Sequence, residues 1–199
     1  ERFFPLLHKA LHFLLVERPK VRADHYSDLP SDSWLMLAIA ELWDFPEMRR
    51  DHYKDFVFRD ARKMIQHMYK VGDAPYPDYA GAFYYQFGDY PYSDGARMEG
   101  IVAAYDLAIK ADARDEQAFL WQAMKLGAWS LLHLVNTPEA LYAAKKPERA
   151  LGGIRFKYTR QWFRIDTIQH VAGFFAKMLP FWDQAESRCK RFAHESEGA

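Results

Sequence analysis

The chain has 199 residues, half of them apolar and 17% aromatic, with 27 acidic side chains against 27 basic ones. That length holds one domain with a sizeable core, and the zero formal balance gives no electrostatic footprint for nucleic acid. The lone Cys189 excludes an internal disulfide and a cysteine-based zinc site, and no apolar run reaches the roughly 20 residues of a membrane span.

Residues 2 to 17 read as an amphipathic helix ended before Pro19. His8 and His12 lie four apart on it with no third ligand nearby, so no metal is expected. A polar turn over Pro19 to Pro30 precedes a helix capped by Ser31 or Asp32 and running to Asp44, its apolar stripe made of Trp34, Leu35, Ala38, Ile39 and Leu42. After Pro46, residues 47 to 70 resume the helical pattern, and the two helices form a hairpin.

Periodicity fails from Gly72 to Tyr92, where prolines and glycines punctuate a segment crowded with tyrosine and phenylalanine. Ala82 to Phe87 is the strand candidate, half of a short β-hairpin within this long aromatic loop. Ser93 or Asp94 then caps a helix to Ala111, answered by an antiparallel partner over 115 to 134. Thr137 caps a short helix through Ala144, Gly152 to Phe156 is a turn, and Ile165 to Leu179 is a core helix. After Pro180 a last helix runs from Phe181 to Phe192. The expected architecture is a single all-α domain over 1–199 built from antiparallel helical hairpins. A chain that opens on Glu1 and enters a helical pattern at once reads as a processed protein, a trimmed chain or a domain cut from a longer one.

Four segments carry a resemblance: Ser33-Trp34-Leu35-Met36-Leu37-Ala38-Ile39-Ala40-Glu41-Leu42, Gly81-Ala82-Phe83, Asp94-Gly95-Ala96-Arg97-Met98-Glu99-Gly100 and Arg164-Ile165-Asp166-Thr167-Ile168-Gln169-His170. The pattern resembles the (α/α) toroid enzymes, which include six-hairpin glycosidases, N-acylglucosamine 2-epimerase-like proteins and some polysaccharide lyases. The resemblance implies a partial or complete toroid, a sugar or polysaccharide ligand, and contact with further domains or subunits where the ring is incomplete.

Two constellations carry the chemistry. Asp94, Arg97 and Glu99 sit at one helix start, where the helix dipole favours carboxylates. Asp94 and Glu99 would serve as a glycosidase pair only if the cap bends them together; otherwise Asp94 caps, Arg97 pairs with it at i, i+3, and Glu99 is solvated or pairs with a neighbouring helix. Asp166, Gln169 and His170 share a helical face, so Asp166 is expected to orient His170 as a general acid or base. The alternative makes Asp166 a cap and His170 a hydrogen-bonded residue beside the core. Arg97, Arg164 and Gln169 are the expected polar contacts to sugar, and Tyr79, Tyr84, Tyr90 and Tyr92 the stacking rings. No phosphate-cradling glycine loop, HExxH helix or Gly-x-Ser-x-Gly elbow is present, so no cofactor is expected. The competing class is a helical module that binds a glycan or protein without turnover.

Overall fold

The structure of the protein, a computed structural model, describes residues 2–21, 29–160 and 162–197. It is predominantly helical: α1 (Phe4–His12), α2 (Arg18–Val21), α3 (Ser33–Leu42), α4 (Asp51–Gln66), α5 (Gly95–Lys110), α6 (Arg114–Leu132) and α7 (Ile165–Glu197). None of the described helices is long and apolar enough to cross a membrane.

The centre is α5. Gly100, Ala103, Ala104 and Ala108 keep its girth small, and most of its length is buried. It packs on α7, α3 and α6, with a smaller contact to α4. Contacts along its length give the directions of its neighbours. Gly100 lies against Ser33 and Met36, and ten residues on the Lys110 ammonium reaches the Ala40 carbonyl at 3.0 Å, so α3 runs parallel to α5. Gly95 lies against Val171, and Tyr105 meets Phe181 edge-on with centroids 5.3 Å apart, so α7 is parallel too. Returning helices run the other way. Gln117 of α6 donates to the Ala108 carbonyl while Gly127 meets Met98, and α4 follows α6 from the Arg62–Glu116 pair to the Met68–Gly127 contact. A row of parallel helices, α3, α5 and α7, is thus backed by antiparallel α4 and α6.

Several boundaries differ from the sequence reading, each for a local reason. Pro19 does not end the first helix. A π-turn over Phe13–Glu17, closed by the Arg18 N–H on the Phe13 carbonyl, adds one residue to the turn ahead of a proline that has no N–H to give. Pro180 likewise lies inside α7, on its exposed side with Ala176 and Leu179. Asp32 stands at the N-cap of α3 but makes no cap hydrogen bond, because its carboxylate is taken by Arg18. Residues Pro46–Met48 form a 3-10 turn, as do Glu139–Leu141 in place of the short helix expected after Thr137. Residues 22–28 of the turn between Pro19 and Pro30 lie outside the described residues.

The β-hairpin expected over Ala82 to Phe87 does not form. Backbone bonds from Tyr69 N–H to the Ala82 carbonyl (2.9 Å) and from Tyr84 N–H to His67 (3.0 Å) tie the start of the loop to the end of α4, leaving one antiparallel bridge, Met68 with Phe83. The tie allows the loop to come close over α6: Gly81, at φ +90, would place a Cβ 2.0 Å from the Leu126 carbonyl oxygen. Tyr158 fastens the same loop. Its hydroxyl lies 2.7 Å from the Asp78 carbonyl and 3.0 Å from that of Ser130, and burial pushes its phenol up to about 12, partly offset by its bond with Ser130.

Two predictions follow from this packing. A Cβ on Gly95 would stand 2.4 Å from the Val171 nitrogen, so Gly95→Ala is expected to lower stability by about 1–3 kcal/mol in urea unfolding, the range for overpacked contacts. For Tyr158, the folded phenol binds its proton more tightly than the unfolded one, so stability falls as pH rises from about 10 towards 12. Tyr158→Phe should cost about 1 kcal/mol at neutral pH and show a shallower decline over that alkaline window, read by denaturation at each pH.

Candidate active site

Asp94, Arg97 and Glu99 leave the first turns of α5 in different directions and build two separate arrangements. Asp94 caps the helix by accepting from the Arg97 N–H at 3.1 Å, and its other oxygen pairs with the Arg97 guanidinium. Arg97 also donates through Nε to the Pro30 carbonyl (2.8 Å), through Nη1 to the Tyr92 hydroxyl (3.1 Å) and through Nη2 to that of Tyr85 (2.9 Å). Four of its five N–H groups are therefore committed inside the protein. Burial opposes the Arg97 charge, but Asp94 and then Tyr92 more than offset it and hold the guanidinium above its ordinary value. Burial, and then the Asp94 carboxylate, hold the Tyr92 phenol up as well. Arg97 is thus a clamp that fixes loops 29–32 and 85–92 on the start of α5. It is unavailable to hold a sugar, and Asp94 is unavailable as a second catalytic carboxylate.

Glu99 turns to the other side. Its Oε2 lies 2.7 Å from His170 Nδ1, with side-chain exposures of 10% and 19%. Space for its carboxylate comes from Gly173 on α7, where a Cβ would fall 2.1 Å from Oε1. Asp166, expected to orient His170, is bound elsewhere: Arg164 grips it through Nε at 3.0 Å and Nη2 at 2.5 Å, and the Thr167 N–H donates to it at 2.9 Å. The Arg164 bonds hold its carboxyl below the usual range. The cause is spacing: Asp166 lies in the first turn of α7, beside the preceding loop, whereas His170 is one turn deeper, level with Glu99.

The Glu99–His170 pair borders an open cavity of about 330 Å³ lined by Trp34, Leu37, Glu99 and Gln169. Trp34 is 69% exposed, and its ring centre lies 6.3 Å from that of His170. With Nδ1 engaged by the carboxylate, His170 Nε2 has no hydrogen-bond partner among the described residues. An aromatic face, an amide and a carboxylate thus line one opening, and the carboxylate among them is the one that engages the His170 ring. The sequence reading placed Trp34 in the apolar stripe of its helix. The signal to the contrary is its spacing with Ala38 and Glu41, a face ending in a charge, whereas Leu35, Met36, Ile39 and Ala40 form the buried side.

The tyrosines divide. Tyr79 is 5% exposed, in a small cluster with Tyr69 and Ala82. Half-buried Tyr84 packs on Tyr69 with centroids 4.6 Å apart, and Tyr92 stacks on Phe156 at 5.9 Å. Burial fixes the first of these, and mutual packing fixes the other two. Tyr90 is 62% exposed, and with Tyr85 and Phe87 it forms an aromatic rim on the loop that Arg97 anchors. Arg164, paired with Asp166, lies over the Phe156 ring at 4.9 Å. His8 is engaged at both ring nitrogens, by the Tyr53 hydroxyl (2.8 Å) and the Glu47 carbonyl (3.1 Å). Comparison with protein-family models, characterised proteins and solved structures finds no match for the chain.

The clamp makes a quantitative prediction. Arg97→Met leaves the Asp94 carboxylate buried and unpaired, so a loss of about 3–5 kcal/mol is expected. Adding Asp94→Asn to that variant should recover part of the loss, and a double-mutant cycle in chemical denaturation measures the coupling.

Proposed function

We propose that the protein is a carbohydrate-active enzyme that moves a proton on a sugar or polysaccharide, with His170 as the general base or acid and Glu99 as its orienting partner. The observation that carries this reading is the 2.7 Å contact between His170 Nδ1 and Glu99, a carboxylate that itself lines the cavity walled by Trp34, with Nε2 left without a hydrogen-bond partner among the described residues. A carboxylate on one imidazole nitrogen fixes the tautomer and stabilises the imidazolium that forms when the other nitrogen takes a proton. A tryptophan face suits the apolar side of a pyranose, and the Gln169 amide can both donate to and accept from hydroxyls.

The chemistry that fits is abstraction of a proton from a carbon next to a carbonyl or carboxylate. Nε2 takes the proton and the C–H electron pair moves onto the adjacent carbonyl oxygen. Delivery of a proton from water to the opposite face of that carbon, with Nε2 later releasing its own proton to solvent, completes an epimerisation; return of the electron pair to form a carbon–carbon double bond expels the glycosidic oxygen from the neighbouring carbon, which takes the proton from Nε2 and completes an elimination. Hydrolysis by paired carboxylates is less well supported, because Arg97 holds Asp94 away from Glu99. The parallel row of α3, α5 and α7 with α4 and α6 returning behind it supports reading the bundle as part of an (α/α) toroid. The exposed rim of Tyr85, Phe87 and Tyr90 favours a second reading, glycan binding without turnover.

The test is a thermal-shift and turnover screen over mono- and oligosaccharides, on the wild type and on His170→Gln, which keeps a donor for Glu99. Turnover is expected to fall by about a hundredfold or more in the variant with its melting temperature little changed, and Trp34→Ala is expected to weaken binding. Undiminished turnover in His170→Gln would remove the residue from the chemistry. Binding without turnover in the wild type would establish the module, and no binding at all would end the carbohydrate reading.

A further inference from the structure

The cavity beside Glu99 and His170 does not end there. Along α5 the floor continues from Glu99 through Ala103 to Asp106, seven residues and therefore about 10 Å of helix. A second cavity of about 180 Å³ lies along this stretch, and Leu37 belongs to the walls of both. Its apolar surface comes from Ala40, Val102, Ala103 and Phe181, and its polar groups from Glu41, Asp106 and Lys177. The two openings are neighbours between α3 and α7, with Leu37 as their shared wall and Glu99, Val102, Ala103 and Asp106 of α5 beneath them.

Across the second cavity, Lys177 of α7 and Glu41 of α3 approach only to 3.9 Å, with side chains 42% and 69% exposed. At that distance no hydrogen bond forms, and an exposed pair contributes little to stability. The ammonium can donate and the carboxylate can accept without the loss of a strong bond. Asp106 is less free, being paired with Lys110 at 2.9 Å.

We infer that this second cavity is a subsite for a neutral, hydroxyl-rich sugar unit linked to the unit at His170, so that the ligand is an oligosaccharide or polysaccharide chain and not a free monosaccharide. The inference rests on the carbohydrate reading of the first cavity. A hydroxyl both donates and accepts, matching Glu41 and Lys177 together, and a pyranose face suits the apolar surface of Phe181 and Ala103. An acidic unit fits poorly, because the Glu41 and Asp106 carboxylates line the cavity beside Lys177, which contributes its one ammonium among the described residues. The length of floor from Glu99 to Asp106 exceeds one pyranose, and Trp34 lines the first cavity while Phe181 lines the second.

The experiment compares the wild type with Glu41→Ala and Lys177→Ala in calorimetric titrations with matched mono-, di- and longer saccharides, both neutral and uronate-containing. Both substituted side chains are exposed, so folding is retained and is checked by melting temperature. In the wild type, affinity should rise from mono- to disaccharide for neutral chains. Each variant should lose about tenfold for disaccharides and longer chains, the size of one charge-assisted hydrogen bond, with no change for monosaccharides. Monosaccharides binding as tightly as chains, or variants that affect all lengths equally, would overturn the subsite while leaving the first cavity's reading intact. Preference for uronate chains would overturn its neutral character, and absence of any saccharide binding would overturn both readings together.

Discussion

A helix enclosed by neighbours has no solvent at its flanks to satisfy the polar side chains it carries, and α5 carries three of them within its cap and first two turns. Each must find a partner inside the protein. The solutions are different in kind. Asp94 and Arg97 neutralise each other and recruit two loops through the remaining guanidinium donors. Among the described residues Glu99 meets no group of fixed charge, only an imidazole whose second nitrogen has no hydrogen-bond partner there. One is a finished structural unit and the other a chemically incomplete one, separated by two residues of sequence. That contrast is the basis for placing function at Glu99 and stability at Arg97.

The parallel arrangement of α3, α5 and α7 has an electrostatic consequence as well. Their N-termini point the same way, so the amide ends of three helices gather near the loops that hold Tyr85, Tyr90, Phe156 and Trp162. A carboxylate one turn into α5 sits in the favourable half of that field. Proximity to the N-termini also gives loops access to the site, and the Arg97 clamp is what makes one of those loops a defined wall.

Helices were legible in the sequence because apolar spacing and caps are local: Asp94 caps α5 as its position indicates, and the helical hairpins are present. Breaks at Pro19 and Pro180 were misread because proline limits only its own and preceding turns, and a π-turn at the first and a solvent-facing position at the second accommodate it. The loop strand was misread for another reason. Alternation from Ala82 to Phe87 describes a strand, but the partner it needs is supplied only by three residues at the end of α4. In the site the local pairing of Asp94 with Arg97 at i, i+3 was legible and the distant one was not. His170 and Glu99 were both singled out, but Asp166 at i−4 was the nearest carboxylate in sequence, and a contact across 71 positions leaves no local trace. Gly173, whose missing side chain admits the carboxylate, is invisible until the two helices are brought together.

The π-turn ahead of Pro19 is an inserted step in an otherwise regular spiral. One additional residue rotates everything after it by about 100° relative to an uninterrupted α-helix. Arg18 is the first residue beyond that step, and it reaches Asp32, the residue that opens α3 two positions before Trp34. The extra residue therefore sets the phase of the first helix against the third. Its influence reaches the wall of the cavity through one ion pair, so a stretch with no side chain in that wall helps decide where it begins.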